Sequence, residues 1–451
     1  MQINSFLDLH THTRYPGSKF IKQEDIEQAA KNGGYSEILA MPNSSKIIDS
    51  LEALEEARKL DSSLSIEVHR TASLTKGLAG QEPIDYKKLT EHGVFIFTDD
   101  GLSVVDDNLA ENIFRSIKEV GAAVFQHCEK SCHTMPGDIA PPNNNSHLKA
   151  IHISEETEIL NRDLKLVEKY GTRYHAQHLS TIESVELIRE AKINNLPVTA
   201  EVTPHHLLAN NENLDTSDGK YKMYPPIRTE NDRLALIAGL KDGTIDVIST
   251  DHAPHPKNDK VVNFKEASRG VVGLESSFPM LYSSKIFNLD DLVMFLDINP
   301  RKILSDIGYK INQMRTFEWK ICDKEFKITN FGKMIFSKKK SYDPYLEKSE
   351  TLWLLHWMLA SDPTLTTWYY IFNYHPSIII NKDKLLGEIV SIGKFSKWKG
   401  MSPNTIKRDI DCFIRTYTFS NKKGEVTEDS IECPLAELGL IIPTYTKGEF
   451  E

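Results

Sequence analysis

Over the first three hundred or so residues, short apolar runs alternate with amphipathic stretches, and several of the runs stop on histidine or aspartate. Runs of strand character end near His12, Asn43, Ser73, Asp100, His127, His178, Pro204 and Asp251. Between them lie helical patterns such as residues 50–60, 108–120, 155–170, 181–194 and 231–242. This alternation is the pattern of parallel βα units, and eight units over about 300 residues fit a (β/α)8 TIM-type barrel of the α/β class. An open doubly wound sheet is the alternative, but it would hold its first and last strands apart. Here the first strand ends in His10 and His12 and the eighth in Asp251. Only a closed barrel makes those two strands neighbours.

In a parallel barrel all strand ends meet on one face, so His10, His12, Asp100, His127, His178 and Asp251 would converge there. Four imidazoles and two carboxylates suit Zn²⁺ or a similar divalent ion. Residues two apart on a strand share a face, so the alternation directs both His10 and His12 inward. A single buried histidine is more often a hydrogen-bonded core residue than a ligand; the set carries the inference, not any one member. His69, His92, His133, His147, His152 and His175 fit no such position and read as structural or surface residues. Cys128 follows His127, so it points away from the strand-end face and reads as packing.

The composition changes near residue 311. Of the 16 histidines only His356 and His375 follow it, and all five tryptophans do: Trp319, Trp353, Trp357, Trp368 and Trp398. From residue 312 onward there are 20 basic and 18 acidic residues, against 34 and 46 before it. Two parts so unlike each other read as two domains: a barrel over 1–304, a junction over 305–311 and a second domain over 312–451. The second part reads as small and mainly α-helical, with buried helices at 351–359 and 366–374 and a capped helix over 402–416. A net charge of −10 argues against non-specific nucleic-acid binding by the chain as a whole. Five cysteines without a CxxC pair suit reduced thiols in the cytoplasm. Neither a secretory signal nor an apolar run of membrane-spanning length is visible.

The segment Asp8 to Gly17 reads D-x-H-x-H-x-R-x-P-G. Five further motifs follow in order: Met41-Pro42-Asn43, Phe97-Thr98-Asp99-Asp100-Gly101, His127, His178-Leu179-Ser180 and Thr250-Asp251-His252-Ala253-Pro254-His255. On these the chain resembles the cyclic amidohydrolases, the dihydroorotases most closely, over roughly residues 1–304. The resemblance implies two Zn²⁺ ions per chain. His10, His12 and Asp251 would hold one, His127 and His178 the other, and Asp100 would bridge them. Asp99 is the rival bridge; Asp100 is preferred because it stands directly before Gly101 at the strand end. Asp251 would be the catalytic acid/base, and Arg14, Asn43 and His255 would bind the substrate. The partner is then a small carboxylate substrate, and the implied reaction interconverts L-dihydroorotate and N-carbamoyl-L-aspartate in pyrimidine synthesis. A homo-oligomer is compatible with this reading.

Two departures from the family pattern stand out. Tyr224, in Lys222–Arg228, occupies the position where dihydroorotases usually carry a substrate-binding asparagine. A phenol lacks the paired donor and acceptor of an amide, which keeps an allantoinase or hydantoinase as a rival. His10 also lies almost at the start, and the β segments that usually flank the barrel on both sides are not evident. Segments 329–334, 343–348, 351–357, 407–413 and 433–440 resemble part of a family of unknown function found in DNA-modification defence islands. A winged-helix module is one form this part could take, with Lys407 and Arg408 meeting phosphate; a solvated amphipathic helix is the other. Nucleic acid could therefore be a partner only through this part, and a silent barrel serving as its scaffold is a third reading of the whole.

Overall fold

The computed structural model describes residues 2–133, 137–142, 147–214, 219–260, 262–311 and 316–318. The helices expected at 351–359, 366–374 and 402–416, and the winged-helix form, lie outside the described residues.

Eight parallel strands follow the expected order: β1 Phe6–Thr11, β2 Tyr35–Ala40, β3 Glu67–Arg70, β4 Ile96–Phe97, β5 Ala123–Gln126, β6 Arg173–Ala176, β7 Val198–Val202 and β8 Val247–Ile248. β1, β2 and β3 pair in sequence, as do β4 through β8. Two seams join these groups. Ala72 bridges to Phe97 beyond β3, and Thr11 bridges to His252 beyond β8. The second seam is also tied by Asp8, whose carboxylate accepts from the Thr250 backbone N–H and from the hydroxyls of Thr11 and Thr250. The barrel is therefore closed, and the open-sheet alternative does not hold.

Nearly every strand residue is buried on both sides, as a parallel sheet covered by helices requires. Several helices begin where side-chain oxygens satisfy free backbone N–H groups. Ser50 caps Leu51–Asp61, Asp106 caps Asp107–Glu119, and Thr181 caps Ile182–Ile193. Thr229 and Asp232 form a reciprocal capping box on Glu230–Asp242.

The barrel floor is apolar. Leu7, Leu9, Leu39, Ile96, Phe125 and Val247 form one cluster with Ile303, Leu304, Ile307 and Tyr309. The helix Asn299–Ile307 thus plugs the end opposite the strand C-termini. Tyr309 donates its hydroxyl to the Arg70 carbonyl at 2.9 Å and accepts from the Phe95 N–H at 3.2 Å. The packed barrel runs past Leu304 to Tyr309, because the plug helix and its hydrogen-bonded tyrosine complete the floor. Nor is the flanking β structure wholly missing: Gln2–Asn4 pairs antiparallel with Thr316–Glu318. A three-residue pair carries too little alternation to be read from sequence.

Candidate metal centre and active site

The six histidines and aspartates expected at strand ends meet at the mouth of the barrel. β1 reaches it through an irregularity. Leu7 and Leu9 belong to the floor cluster, so strict alternation would put His10 and His12 on the opposite face. The β1–β2 register slips between Asp8 and Thr11, and this slip accompanies the turn of both imidazoles into the mouth. His178 needs a different device. Tyr174 and Ala176 pack outward among the helices, and a left-handed backbone at His178 (φ 31°) reverses the next step. Asp251 (φ 47°) and Arg14 (φ 61°) are left-handed as well. Such conformations cost free energy for residues with a Cβ, and three of the six among the described residues fall in this one place.

Asp100 divides the centre. Its Oδ2 lies 3.3 Å from His10 Nε2 and 3.2 Å from His12 Nε2. Asp251 Oδ1 closes that half, 2.9 Å from His12 Nε2 and 3.5 Å from His10 Nε2. The other oxygen, Oδ1, faces His178 Nε2 at 3.4 Å and His127 Nδ1 at 4.0 Å. Those two ring nitrogens are 2.9 Å apart. Zinc–ligand bonds of about 2.0–2.1 Å in a tetrahedron would set ligand atoms roughly 3.3 Å apart, so these spacings fit donors around a cation. His10–His12–Asp251 and His10–Asp100–His178 each bring ligand atoms within 4.8 Å of one another. His10 Nε2 and Asp100 Oδ1 are buried without a hydrogen-bond partner, a costly state that a bound cation would relieve.

Asp99, the rival bridge, is committed elsewhere. Its carboxylate accepts from the backbone N–H groups of Leu74 and Thr75 and from the Thr75 hydroxyl, and burial raises its pKa to about 6.

The charges are strongly coupled. Burial works against a charged His10, yet Asp100, Glu201 and Asp251 outweigh it and hold its pKa well above the usual range. Burial likewise works against the Asp100 and Asp251 carboxylates, and the surrounding imidazoles overcome it, keeping both ionised. A buried pocket of anions that draws protons onto imidazoles also attracts metal cations.

Two carboxylates escaped the sequence reading. Glu201, within β7, accepts from His10 Nδ1 at 2.5 Å and contacts His175 Nε2 at 3.2 Å. It fixes the proton of His10 on Nδ1 and leaves Nε2 to face the centre. A lone acid inside an otherwise buried strand was the available signal. Glu129 Oε2 lies 3.6 Å from His127 Nε2, and nothing in the sequence marks it. His175 is structural, as expected, but stands behind the centre through Glu201. Cys128 packs against the Tyr174 hydroxyl, away from it.

The centre opens into a cavity of about 210 Å³ whose walls include Arg14, Asn43, Tyr224, His255 and Arg269. Asn43 accepts from His12 Nδ1 at 2.7 Å and donates to the Asp100 carbonyl at 3.0 Å, so its amide orients the His12 ring. Arg14 is anchored by its Nε–H on the Pro254 carbonyl at 3.2 Å. His255 gives its Nε2–H to the Arg269 carbonyl at 2.6 Å. Burial, with Arg14 and Lys260, holds its pKa well below the usual range. His255 is therefore neutral, and Arg14 is the charged group of the pair.

The solved structures that this barrel resembles include an L-hydantoinase from Arthrobacter aurescens, with TM-score 0.56 and 23% identity over 68% of this chain and 72% of that one. Another is the dihydroorotase of Saccharomyces cerevisiae in complex with 5-fluoroorotic acid, with TM-score 0.56 and 19% identity over 69% and 85%. The fold is the TIM barrel that these hydantoinase and dihydroorotase structures share. Residues 1–184 match the dihydro-orotase-like family. The chain is 36% identical to the dihydroorotase of Listeria monocytogenes serotype 4b over 362 residues, 77% of this chain and 83% of that protein. It is 36% identical to the dihydroorotase of Staphylococcus epidermidis over 372 residues, 80% and 84%. The chain belongs to the dihydroorotase family. Residues 311–451 match a separate family described as "Protein of unknown function (DUF4007)". Among the described residues no helix is long and apolar enough to cross a membrane.

Proposed function

We propose that this cyclic amidohydrolase interconverts L-dihydroorotate and N-carbamoyl-L-aspartate, with two Zn²⁺ ions per chain. His10, His12 and Asp251 would hold one ion, His127 and His178 the other, and Asp100 would bridge them. The observation that carries this reading is the two-sided position of Asp100 at the end of a small cavity that also holds an arginine. Bound divalent ions would lower the pKa of a water and polarise the ring carbonyl.

The chain's own residues supply the rest. Asp251, ionised, accepts a proton from the attacking water as the water oxygen bonds to the ring carbonyl carbon. The carbon–nitrogen bond then breaks, and Asp251 returns the proton to the leaving nitrogen, giving a free ureido group and a carboxylic acid that releases the second water proton to solvent and becomes a carboxylate. Glu201 and Asn43 keep His10 and His12 turned toward the ions, and Arg14 pairs with the substrate carboxylate already present. A cavity of about 210 Å³ is below the usual range of roughly 300–1,000 Å³ for pockets that hold drug-sized ligands. That favours a compact ring with an acid group over hydantoins with bulky side chains. The C-terminal residues from 312 on would contribute no ligand, and a cytoplasmic location belongs to the same proposal.

The test is turnover of dihydroorotate, allantoin and 5-substituted hydantoins by the purified full chain. Dihydroorotate should be the best substrate by at least tenfold in kcat/KM; a preference for allantoin or a hydantoin would overturn the assignment. Arg14→Met should raise KM for dihydroorotate about 10- to 100-fold, the worth of a charge-assisted hydrogen bond, with a smaller fall in kcat from misplacement. An unchanged KM would remove Arg14 from the substrate site.

A further inference from the structure

We infer that Arg269 is a second specificity-determining cation of this site, held on the ring of Tyr224, and that it selects the open-chain ureido diacid over the cyclic monoacid. This rests on the substrate reading proposed above.

Tyr224 lines the cavity together with Arg269. Its ring packs against His127, with centroids 5.2 Å apart and planes tilted by 35°. The Arg269 guanidinium lies 4.4 Å from the Tyr224 ring centroid, inside the range of about 6 Å for a cation–π contact. The departure at position 224 is thus not an isolated loss of an amide. The phenol ring provides a flat platform that an asparagine could not, and a guanidinium occupies it.

The segment is fixed relative to the substrate end of the site. The Arg269 carbonyl accepts the His255 Nε2–H. Gly270 follows at φ +111°, where a Cβ would come within 2.7 Å of Ala253 Cβ. The side chain, by contrast, has capacity to spare. A guanidinium has five N–H donors, and among the described residues the one side-chain hydrogen bond of Arg269 goes from Nη2 to the Gly137 carbonyl at 2.6 Å. Glu129 and Asp138 act on it electrostatically, but burial is the larger influence and works against its charge. Arg269 is a cation at a cavity wall without a salt bridge among the described residues.

Ring opening creates the charge that such a cation would meet. The cyclic substrate is a monoanion whose carboxylate engages Arg14. Hydrolysis adds water across the amide and releases a second carboxylate at the Asp100–Asp251 end, so the product is a dianion in the same small cavity. A second cation stabilises the dianion, and the transition state leading to it, more than the ring. Because the overall equilibrium fixes the ratio of the two kcat/KM values, removing the cation must lower both equally, but through different constants.

The test is steady-state kinetics in both directions for the metal-loaded full-length parent, Arg269→Met, Arg269→Lys and Tyr224→Phe, with metal content measured for each. Arg269→Met should raise KM for N-carbamoyl-L-aspartate about tenfold with kcat for ring closure little changed. In the opening direction it should lower kcat about tenfold and leave KM for dihydroorotate within threefold. Arg269→Lys keeps the charge and should recover most of the loss. Tyr224→Phe keeps the ring that carries Arg269 and should retain the parent's tighter binding of the diacid relative to the ring, whatever its overall turnover. Two results overturn the inference while leaving the substrate reading intact: both KM values rising together in Arg269→Met, or neither direction changing. Calorimetric binding of N-carbamoyl-L-aspartate in an Asp251→Asn background, with and without Arg269→Met, decides the matter without turnover. Equal affinities overturn the inference, and a parent that neither binds nor turns over either compound overturns the substrate reading with it.

Discussion

Asp251→Asn should reduce kcat by about a thousandfold, near the middle of the range for loss of a general acid/base. The amide cannot accept the proton of the attacking water, and it is a poorer donor to a cation beside His10 and His12. Fold stability should change far less, because the carboxylate's close partners are the His10 and His12 nitrogens rather than the packed floor. The measurement is steady-state turnover of dihydroorotate with metal content determined on the same sample. Activity within tenfold of the parent would show that Asp251 is not the acid/base.

The second large effect is expected on metal content. Asp100→Ala removes the one carboxylate whose two oxygens face the two halves of the centre. Elemental analysis after purification without chelator should fall from about two divalent ions per chain to below one. His178→Ala should lose about one, since it removes an imidazole from one half only. Asp99→Asn makes the contrast. Its carboxylate is held by Leu74 and Thr75, so metal content should be kept while stability drops. Full metal occupancy in Asp100→Ala would refute the bridging role, and metal loss in Asp99→Asn would transfer that role to the neighbour.

Most of the site was legible because its chemistry needs particular side chains at strand ends, and strand ends are marked by apolar runs that stop. His10, His12, Asp100, His127, His178 and Asp251 all arrive at one mouth, and the choice of Asp100 over Asp99 agrees with where their carboxylates point. The supporting carboxylates were not legible. Glu201 acts on His10, 191 residues away in sequence, a pairing that its place inside a buried strand hints at but does not identify, and Glu129 lies two residues from His127 in a segment with no motif to mark it. For Asn43 a motif identifies the residue, but only its neighbours show that the amide also engages His12 and the Asp100 carbonyl.

By itself the sequence determined the closed eight-stranded barrel, the order of its units and which six side chains stand at its strand ends, because burial on both faces of a parallel strand leaves a continuous apolar signature and a polar stop. Tertiary structure alone decided how three of those side chains reach the centre. Plain alternation from Leu7 and Leu9 would turn His10 and His12 toward the helices, and from Tyr174 and Ala176 it would do the same to His178. A register slip against β2 and a left-handed residue at the end of β6 reverse these directions. The slip belongs to the pairing of β1 with β2, and the His178 N–H donates to Glu201 in β7. The floor followed the same rule: the plug helix and Tyr309 belong to the barrel because of what they pack against, and that contact has no trace in the local sequence.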